Sequence, residues 1–131
     1  MRIPSIIARY LIAFIFVVFG LNGFLHFLPM KPPSSQTAMQ YFTVMTVSHY
    51  LLFVFGLQII AGALFLFRQT VPLALSLAGP LIVNILLFHG LMNPEGIAPG
   101  LVVTILWSVI FWQFRAAFRG IFFSETQSDR A

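Results

Sequence analysis

Charged side chains and cysteine are the two things that this chain has least of. Its seven basic and three acidic residues make up 8% of the 131 residues, against about 25% in typical soluble domains. Cysteine is absent altogether. That absence excludes disulfides, thiolate metal sites, CxxC redox pairs and cysteine nucleophiles, and it leaves the redox compartment unassigned. Any electron chemistry would therefore need a bound cofactor.

Apolar residues fill the space between the few charges. The chain is 60% hydrophobic and 16% aromatic, with sixteen phenylalanines. Four stretches carry no charge: Tyr10–Met30, Pro32–Phe67, Gln69–Pro94 and Gly96–Phe114, of 21, 36, 26 and 19 residues. A helix needs about 20 apolar residues to cross a hydrocarbon core of about 30 Å. We therefore expect a multi-pass membrane protein.

The charge-free stretches predict the fold class and the domain organisation. We expect an all-α, integral membrane four-helix bundle, formed by one four-span domain over residues 1–131. The first apolar run exceeds the roughly 7–15 residues of a signal-peptide core, and no A-x-A-like site follows, so we interpret it as a retained span. The expected spans cover residues 6–28, 49–67, 71–92 and 101–118.

The connectors are short, and each has its own turn signals. The first, Pro29–Ser48, opens with three prolines among five residues, which end a helix. N-cap candidates over residues 34–37 then predict a short helix through residues 41–45 that lies at the membrane interface. Arg68–Thr70 is so short that the flanking spans must form an antiparallel hairpin. Asn93–Gly96 is a turn of helix-breaking residues.

Basic residues set the expected orientation, because Lys and Arg concentrate on the cytoplasmic side of membrane proteins. With four spans, six arginines fall on one side and Lys31 alone on the other. The six are Arg2, Arg9, Arg68, Arg115, Arg119 and Arg130. We expect both termini to be cytoplasmic, and we interpret the net charge of +4 as a topology signal rather than a nucleic-acid surface.

Polar residues in the spans supply the candidate ligand-binding positions, because an unpartnered polar group in a bilayer costs free energy. Those we single out are Asn22, His26, His49, Gln58, Asn84 and His89. The topology places all three histidines at a similar depth in the outer leaflet. There they could share a site for a metal, a haem or a quinone carbonyl, or each could lie at the water boundary, where an imidazole is easily accommodated. We assign no catalytic residue and no metal site.

Helix geometry also leaves open whether Asn22, Gln58 and Asn84 contact a ligand or pack between helices. Asn22 and His26 are one turn apart and share a face, with Gly23 between them allowing close helix contact. Asn84 and His89 are about 140° apart, so they do not line one narrow stripe. Gln58 and Asn84 could contact a ligand, or they could hydrogen-bond across the central hairpin.

Spans two and three carry a family resemblance. The run GLQIIAGALFLF at Gly56–Phe67, followed by Arg68 and by NILLFH at Asn84–His89, resembles the DoxX-like family of small four-span bacterial membrane proteins. Ala8-Arg9-Tyr10 leading to Gly20 in span one is similar too. The resemblance implies a four-helix bundle in a bacterial inner membrane. From some relatives it implies a link to quinone-coupled oxidation of sulfur compounds or to oxidative stress.

The chain departs from the family pattern at two positions. Many relatives have a lysine shortly after the first-span glycine and a glutamate in the second span, where this chain has Gly23 and Gln58. Losing both avoids leaving one buried charge without its partner, which would be strongly destabilising. Any proton transfer through the carboxylate is lost with it, and His89 is the titratable family position that remains.

Together these features predict a DoxX-like, redox-linked membrane component that binds a hydrophobic small molecule near the outer leaflet, with a quinone as the candidate cofactor. The alternatives are a non-enzymatic structural or accessory subunit of a larger membrane complex and a small permease with a polar path past Gln58 and Asn84. Against the permease, the spans contain no acidic residue and no evident inverted repeat. We expect the lipid bilayer as a partner and no nucleic acid, and we leave open whether a reaction is catalysed.

Overall fold

The computed structural model describes residues 2–122, and within that range it contains helices and no strand. The all-α prediction is therefore confirmed for this part of the chain. The α-helices are α1 (Ile3–Leu25), α2 (Gln36–Val47), α3 (Tyr50–Leu64), α4 (Val71–Leu91), α5 (Ile97–Phe114) and α6 (Arg119–Phe122). Short 3₁₀ segments at Arg68–Thr70, Pro94–Gly96 and Arg115–Phe118 join or extend them.

Several helices are long and apolar enough to cross a membrane. Three helical segments qualify alone, at Ile3–Leu25, Arg68–Leu91 and Pro94–Ile121. The pair α2 and α3 qualifies only when taken together, because an 85° bend separates the two helices. Length and composition thus indicate a multi-pass membrane protein with three spans, or four if the bent pair is one span.

The bend falls where the sequence predicted the start of a continuous second span over residues 49–67. α2 ends at Val47 and α3 begins at Tyr50, with His49 in the left-handed conformation between them (φ 62°). α3 holds 15 residues, which is about 22 Å of helix. The helix predicted in the first connector is present, and Ser35 caps it by accepting a hydrogen bond from the Ala38 N–H at 3.0 Å.

The other predicted spans match helices with shifted ends. The first helix runs Ile3–Leu25 instead of residues 6–28 and ends as His26 turns left-handed. α4 ends one residue before its predicted limit. α5 begins at Ile97 rather than residue 101, because the 3₁₀ turn Pro94–Gly96 leads directly into it. Pro99 lies in the first turn, where a helix needs no backbone donor.

α1 packs against α3 and α5, and α4 packs against the same two helices. α1 and α3 are antiparallel and very close. A methyl group on Gly20 would lie 2.6 Å from Ile59 Cγ1, and one on Gly62 would lie 2.9 Å from Val17 Cγ2. Small residues of this kind let membrane helices approach closely, as the sequence predicted for this region of α1.

The remaining helix pairs are antiparallel too. The Arg2 N–H at the start of α1 donates to Gln113 Oε1 near the end of α5, at 3.3 Å. Trp107 Nε1 of α5 donates to the Leu75 carbonyl of α4 at 3.0 Å. These registers define two ends of the molecule. The basic end carries Arg2, Arg9, Arg68, Arg115 and Arg119, and the histidine end carries His26, His49 and His89.

The buried core lies nearer the basic end. In α4 the buried residues are confined to Val71–Ile82, and in α3 no residue before Gln58 is buried. The apolar core residues are Ala8, Ile12, Ala13, Phe16, Ala61, Phe65, Val71, Ala74, Leu75, Ala78, Ile82, Val103, Ile110 and Phe118. The half of α3 and α4 toward the histidine end is therefore more exposed than the half toward the basic end.

Candidate functional site

The structure brings the three predicted histidines to one end, but two of them are exposed there. His26 ends α1 and His49 precedes α3, both with side chains open to the surroundings. They are the two non-glycine residues of positive φ in the described range, at 52° and 62°. Histidine is one of the side chains that tolerates this conformation best. Both therefore act first as corner residues of the backbone.

His89 is the half-buried member of the group. Its Nδ1 lies 3.2 Å from the Asn93 carbonyl oxygen, and its ring meets the Phe88 ring edge-on at 5.0 Å between centroids. A methyl group on Gly96 would lie 2.6 Å from His89 Cε1. The glycine in the α4–α5 turn thus makes the space that the imidazole fills.

Polar contacts tie the first connector to the end of α4 beside His89. Ser34 Oγ donates to Asn93 Oδ1 at 3.1 Å, and Ser35 Oγ donates to the Met92 carbonyl. Lys31 and Glu95 form an exposed ion pair at 3.5 Å. Exposed pairs of this kind contribute about 1 kcal/mol at most. The serine contacts, which satisfy groups at the end of a helix, do more to hold the connector.

Two of the predicted amides are used inside the protein. Asn22 is buried and its Oδ1 accepts from the Leu28 N–H at 2.7 Å, closing the end of α1. Gln58 is buried between α3 and α1, where its Nε2 donates to the Phe16 carbonyl at 3.3 Å. The packing interpretation of these two side chains is the one that the contacts favour.

The alternative in which Gln58 and Asn84 hydrogen-bond to each other across the central hairpin is not the arrangement in the structure. Asn84 is exposed on α4, whereas Gln58 faces α1. The hairpin register explains the mismatch, because Gln58 lies eleven residues before Gln69 and Asn84 lies fifteen after it. That difference places the two side chains about 6 Å apart along the helix axes. They also face in different directions.

The six predicted positions consequently do not form one pocket wall. Asn22, Gln58 and His89 make internal contacts, while His26, His49 and Asn84 are exposed. Across residues 2–122, no three histidine or carboxylate side chains are placed to hold a metal ion together.

Arg9 is a buried polar residue that the sequence interpretation missed. It is 6% exposed, and its guanidinium donates from Nε to the Phe65 carbonyl and from Nη2 to the Leu66 carbonyl, each at 2.9 Å. These oxygens lie at the end of α3, where carbonyl groups lack intrahelical donors and the helix dipole is negative. The sequence did contain a signal of this burial, because Arg9 lies between Ala8 and Tyr10, more than one turn inside an apolar helix.

The basic end contains two adjoining cavities, of about 550 Å³ and 420 Å³. Gln113 and Arg115 line both of them. The larger is also lined by Arg2, Pro4, Ser5, Ser108, Val109 and Trp112, and the smaller by Phe111, Ala116 and Arg119. We call the two cavities together the arginine cleft. None of the six predicted ligand positions lines it.

Within the cleft, Arg115 is held by its neighbours. Its guanidinium carbon lies 4.3 Å from the centre of the Trp112 ring, and Nη1 donates to the Trp112 carbonyl. A cation over an indole face is attracted by the ring quadrupole. The charge is therefore positioned beside the cavity.

Comparison of this chain with protein-family models, with curated proteins and with solved structures finds no match.

Proposed function

We propose that this protein is a non-catalytic, DoxX-like membrane subunit whose helices α1, α2–α3, α4 and α5 form a four-span bundle, and that it works by associating with a second membrane-embedded copy of itself through α4. The bent pair α2–α3 serves as the second span, with α2 lying along the interface. The six residues proposed as a ligand site then contribute to folding and assembly instead of chemistry.

A single observation carries this proposal, namely the direction of Asn84. It lies in the interior of α4, the 14th of its 21 residues, and its side chain is exposed. In hydrocarbon, an amide without a partner loses its hydrogen bonds to water and gains none in exchange. A carboxamide facing outward in a spanning helix therefore favours a partner helix that supplies those bonds.

The rest of that face also differs from a lipid-facing surface. Small and helix-breaking residues interrupt its aliphatic side chains, whereas the buried face of α4 is apolar. The exposed positions fall mostly three and four residues apart and so form one continuous face of α4. They are Leu73, Ser76, Pro80, Val83, Asn84, Leu87, Gly90 and Leu91. A methyl group on Gly90 would meet nothing within 4 Å, so a neighbouring helix could approach there.

A second copy is the partner that the chemistry of Asn84 fits best. A carboxamide has both donors and an acceptor, so two copies related by a two-fold axis satisfy each other. A charged partner side chain would need an opposite charge on this face of α4, and the face contains none. The proposed assembly is a symmetric dimer in which α4 packs against α4.

The dimer can be tested by disulfide crosslinking in membranes, because the chain has no native cysteine. We expect Leu87→Cys on the α4 face to crosslink efficiently and Val102→Cys on α5 to remain monomeric. The two positions are matched, at 53% and 47% exposure. Adding Asn84→Leu should weaken dimerisation of the purified protein in detergent about threefold for each hydrogen bond lost.

Equal crosslinking at both positions, or a monomeric wild-type protein in lipid, would overturn the proposal. Crosslinking of Leu87→Cys to a different protein would replace the second copy with a hetero-partner and retain the α4 interface. Asn84→Gln, which keeps the amide, is the matched control for Asn84→Leu.

A second candidate function is binding of a hydrophobic ligand such as a quinone at the histidine end. The sparse burial of α3 before Gln58 and of α4 after Ile82 supports it, because it leaves exposed apolar surface at the end of the molecule where His89 lies. The Nδ1–H of neutral His89 points at the Asn93 carbonyl, so the ring offers a ligand its Nε2 lone pair, which would accept from the hydroxyl of a reduced quinone.

The test of the ligand is a melting-temperature shift with a short-chain ubiquinol in detergent. Ligand that binds only the folded state raises the melting temperature by mass action. We expect the shift to disappear in His89→Leu and to persist in His49→Leu, whose side chain is exposed. A wild-type protein that shows no shift, or a shift that both variants retain, would contradict binding at His89.

A further inference from the structure

We propose that the arginine cleft at the basic end binds a phosphate group, supplied by the headgroup of an anionic membrane lipid. This inference stands apart from the α4 dimer and from the quinone candidate, since it concerns the start of α1 and the end of α5 and shares no residue with either.

The position of the cleft suits a headgroup. It lies where α1 begins and α5 ends, between the helix termini rather than in the apolar middle of the helices. Trp112 forms part of its wall and is exposed. Indole rings favour the level of the lipid headgroups, because one edge is polar and the rest apolar. A phosphate at this level can enter the cleft while its acyl chains stay in the bilayer.

The charge of the cleft suits an anion. Arg2, Arg115 and Arg119 line it, and no carboxylate among residues 2–122 lies near them. The one carboxylate in that range, Glu95, is at the histidine end and pairs with Lys31. α1 also begins here, with no acidic residue in its first turn and no side-chain cap, so its positive dipole end is unopposed. Guanidinium groups bind phosphate oxygens in pairs of parallel hydrogen bonds.

A buried hydroxyl in the cleft wall lacks a partner. Ser5 is 2% exposed and lines the larger cavity, and its Oγ makes no hydrogen bond within the described part of the chain. Buried polar groups are paired in the great majority of cases, and each exception calls for an explanation. Rotation of the Ser5 side chain about χ1 would bring this hydroxyl to the cavity, where a phosphate oxygen would accept its hydrogen bond and account for it.

Parts of the cleft are already fixed before any anion arrives. Arg115 is stacked on Trp112, and Gln113 Oε1 accepts from the Arg2 backbone N–H at 3.3 Å. With its oxygen used in this way, Gln113 has its amide N–H groups left to donate to an oxyanion. Fixed donors lose little conformational entropy when they bind.

The full-length protein in a neutral detergent provides the test, by thermal unfolding at constant ionic strength. We expect dioleoylphosphatidylglycerol to raise the melting temperature and dioleoylphosphatidylcholine, with the same acyl chains and no net charge, to leave it unchanged. Arg115→Gln combined with Arg119→Gln should raise the apparent Kd for phosphatidylglycerol about tenfold or more, because charge-assisted hydrogen bonds are lost. Arg68→Gln is the matched control, an exposed arginine at the same end that lines neither cavity.

Ser5→Ala separates binding from folding. Its hydroxyl has no protein partner, so the variant should unfold at the wild-type temperature or above it without lipid, and yet bind phosphatidylglycerol more weakly. This variant also keeps the test valid if the double arginine variant fails to fold. A Ser5→Ala protein with unchanged affinity for phosphatidylglycerol would count against a phosphate beside Oγ.

Inorganic phosphate is the third arm of the experiment. Protection by phosphate alone, lost in the double arginine variant, would retain the site and assign it to a soluble phosphate instead of a lipid. Equal shifts with both lipids, or an Arg68→Gln variant impaired as much as the double variant, would overturn the proposal.

Discussion

Arg9 shows how one residue can be misjudged from its charge alone. Counted as a topology signal, it agrees with the other arginines, and the structure indeed places it toward the basic end. Its contacts reveal a second role, because its guanidinium satisfies the Phe65 and Leu66 carbonyls at the end of α3. A positive charge at a helix C-terminus also opposes the helix dipole.

We expect Arg9→Met to lower the free energy of unfolding by about 1–3 kcal/mol for each carbonyl left unsatisfied in a buried setting. The stability of Arg9→Lys should lie between those of Arg9→Met and the wild type, because an ammonium group cannot present the two-pronged donor geometry of a guanidinium. Unfolding in detergent measures both. Arg68→Met, at an exposed arginine, should change stability by less than about 0.5 kcal/mol. An Arg9→Met protein as stable as that control would contradict the capping role.

Among the candidate site residues, the sequence could predict which side chains needed a partner but could not identify the partner. Asn22 and Gln58 were recognisable as amides inside apolar helices, and both are indeed bonded within the protein. The identity of the acceptor for Gln58, the Phe16 carbonyl, depends on a helix register that no local pattern encodes. The cleft was less visible still, because Ser5 and Gln113 are separated by more than 100 residues.

At the scale of helices, each span predicted from the charge-free stretches matches a long apolar helix, with ends that differ by a few residues. The connector helix was also predictable, since the prolines and Ser35 are local signals. The 85° bend was not, because the chain from Thr46 to Tyr50 contains neither proline nor glycine. There the backbone turns through a left-handed histidine, a conformation that tertiary packing must favour over continuing the helix.

Two glycines of α3 make a matched pair for testing the α1–α3 contact. We expect Gly62→Ala to destabilise the protein by about 1–3 kcal/mol, since its methyl group would lie 3.1 Å from the Val17 backbone nitrogen and a side-chain rotation cannot relieve that. Gly56→Ala meets nothing within 4 Å, so its better helix propensity should stabilise by up to about 1 kcal/mol. Unfolding of both variants in the same detergent gives the comparison. Two variants of equal stability would mean that the helices are not in close contact at Gly62.

At the scale of the whole molecule, the antiparallel helices collect the basic residues of the described range at one end, leaving Lys31 at the other. The charge count alone had indicated this separation. The compartment that each end faces remains a prediction from the rule that positive residues stay inside. Arg130, the sixth arginine of that count, lies outside the described residues.

Single cysteines provide the test of orientation. We expect Thr37→Cys, near the start of α2, to react with an impermeant thiol reagent added outside intact cells. Gln69→Cys, in the α3–α4 turn, should react only after permeabilisation. Both residues are exposed, so full labelling of each in detergent is the control. Labelling of Gln69→Cys alone from outside would reverse the orientation.

The shortness of α3 has a consequence for the lipids around it. α1 and α4 hold 23 and 21 residues, about 35 and 32 Å, and match a typical hydrocarbon core, whereas α3 reaches only about 22 Å. In the proposed four-span arrangement, acyl chains next to α3 would compress to cover it, at a cost of a fraction of a kcal/mol for each Å of mismatch. The protein would therefore thin its bilayer on one side only, and it would gather short-chain lipids there.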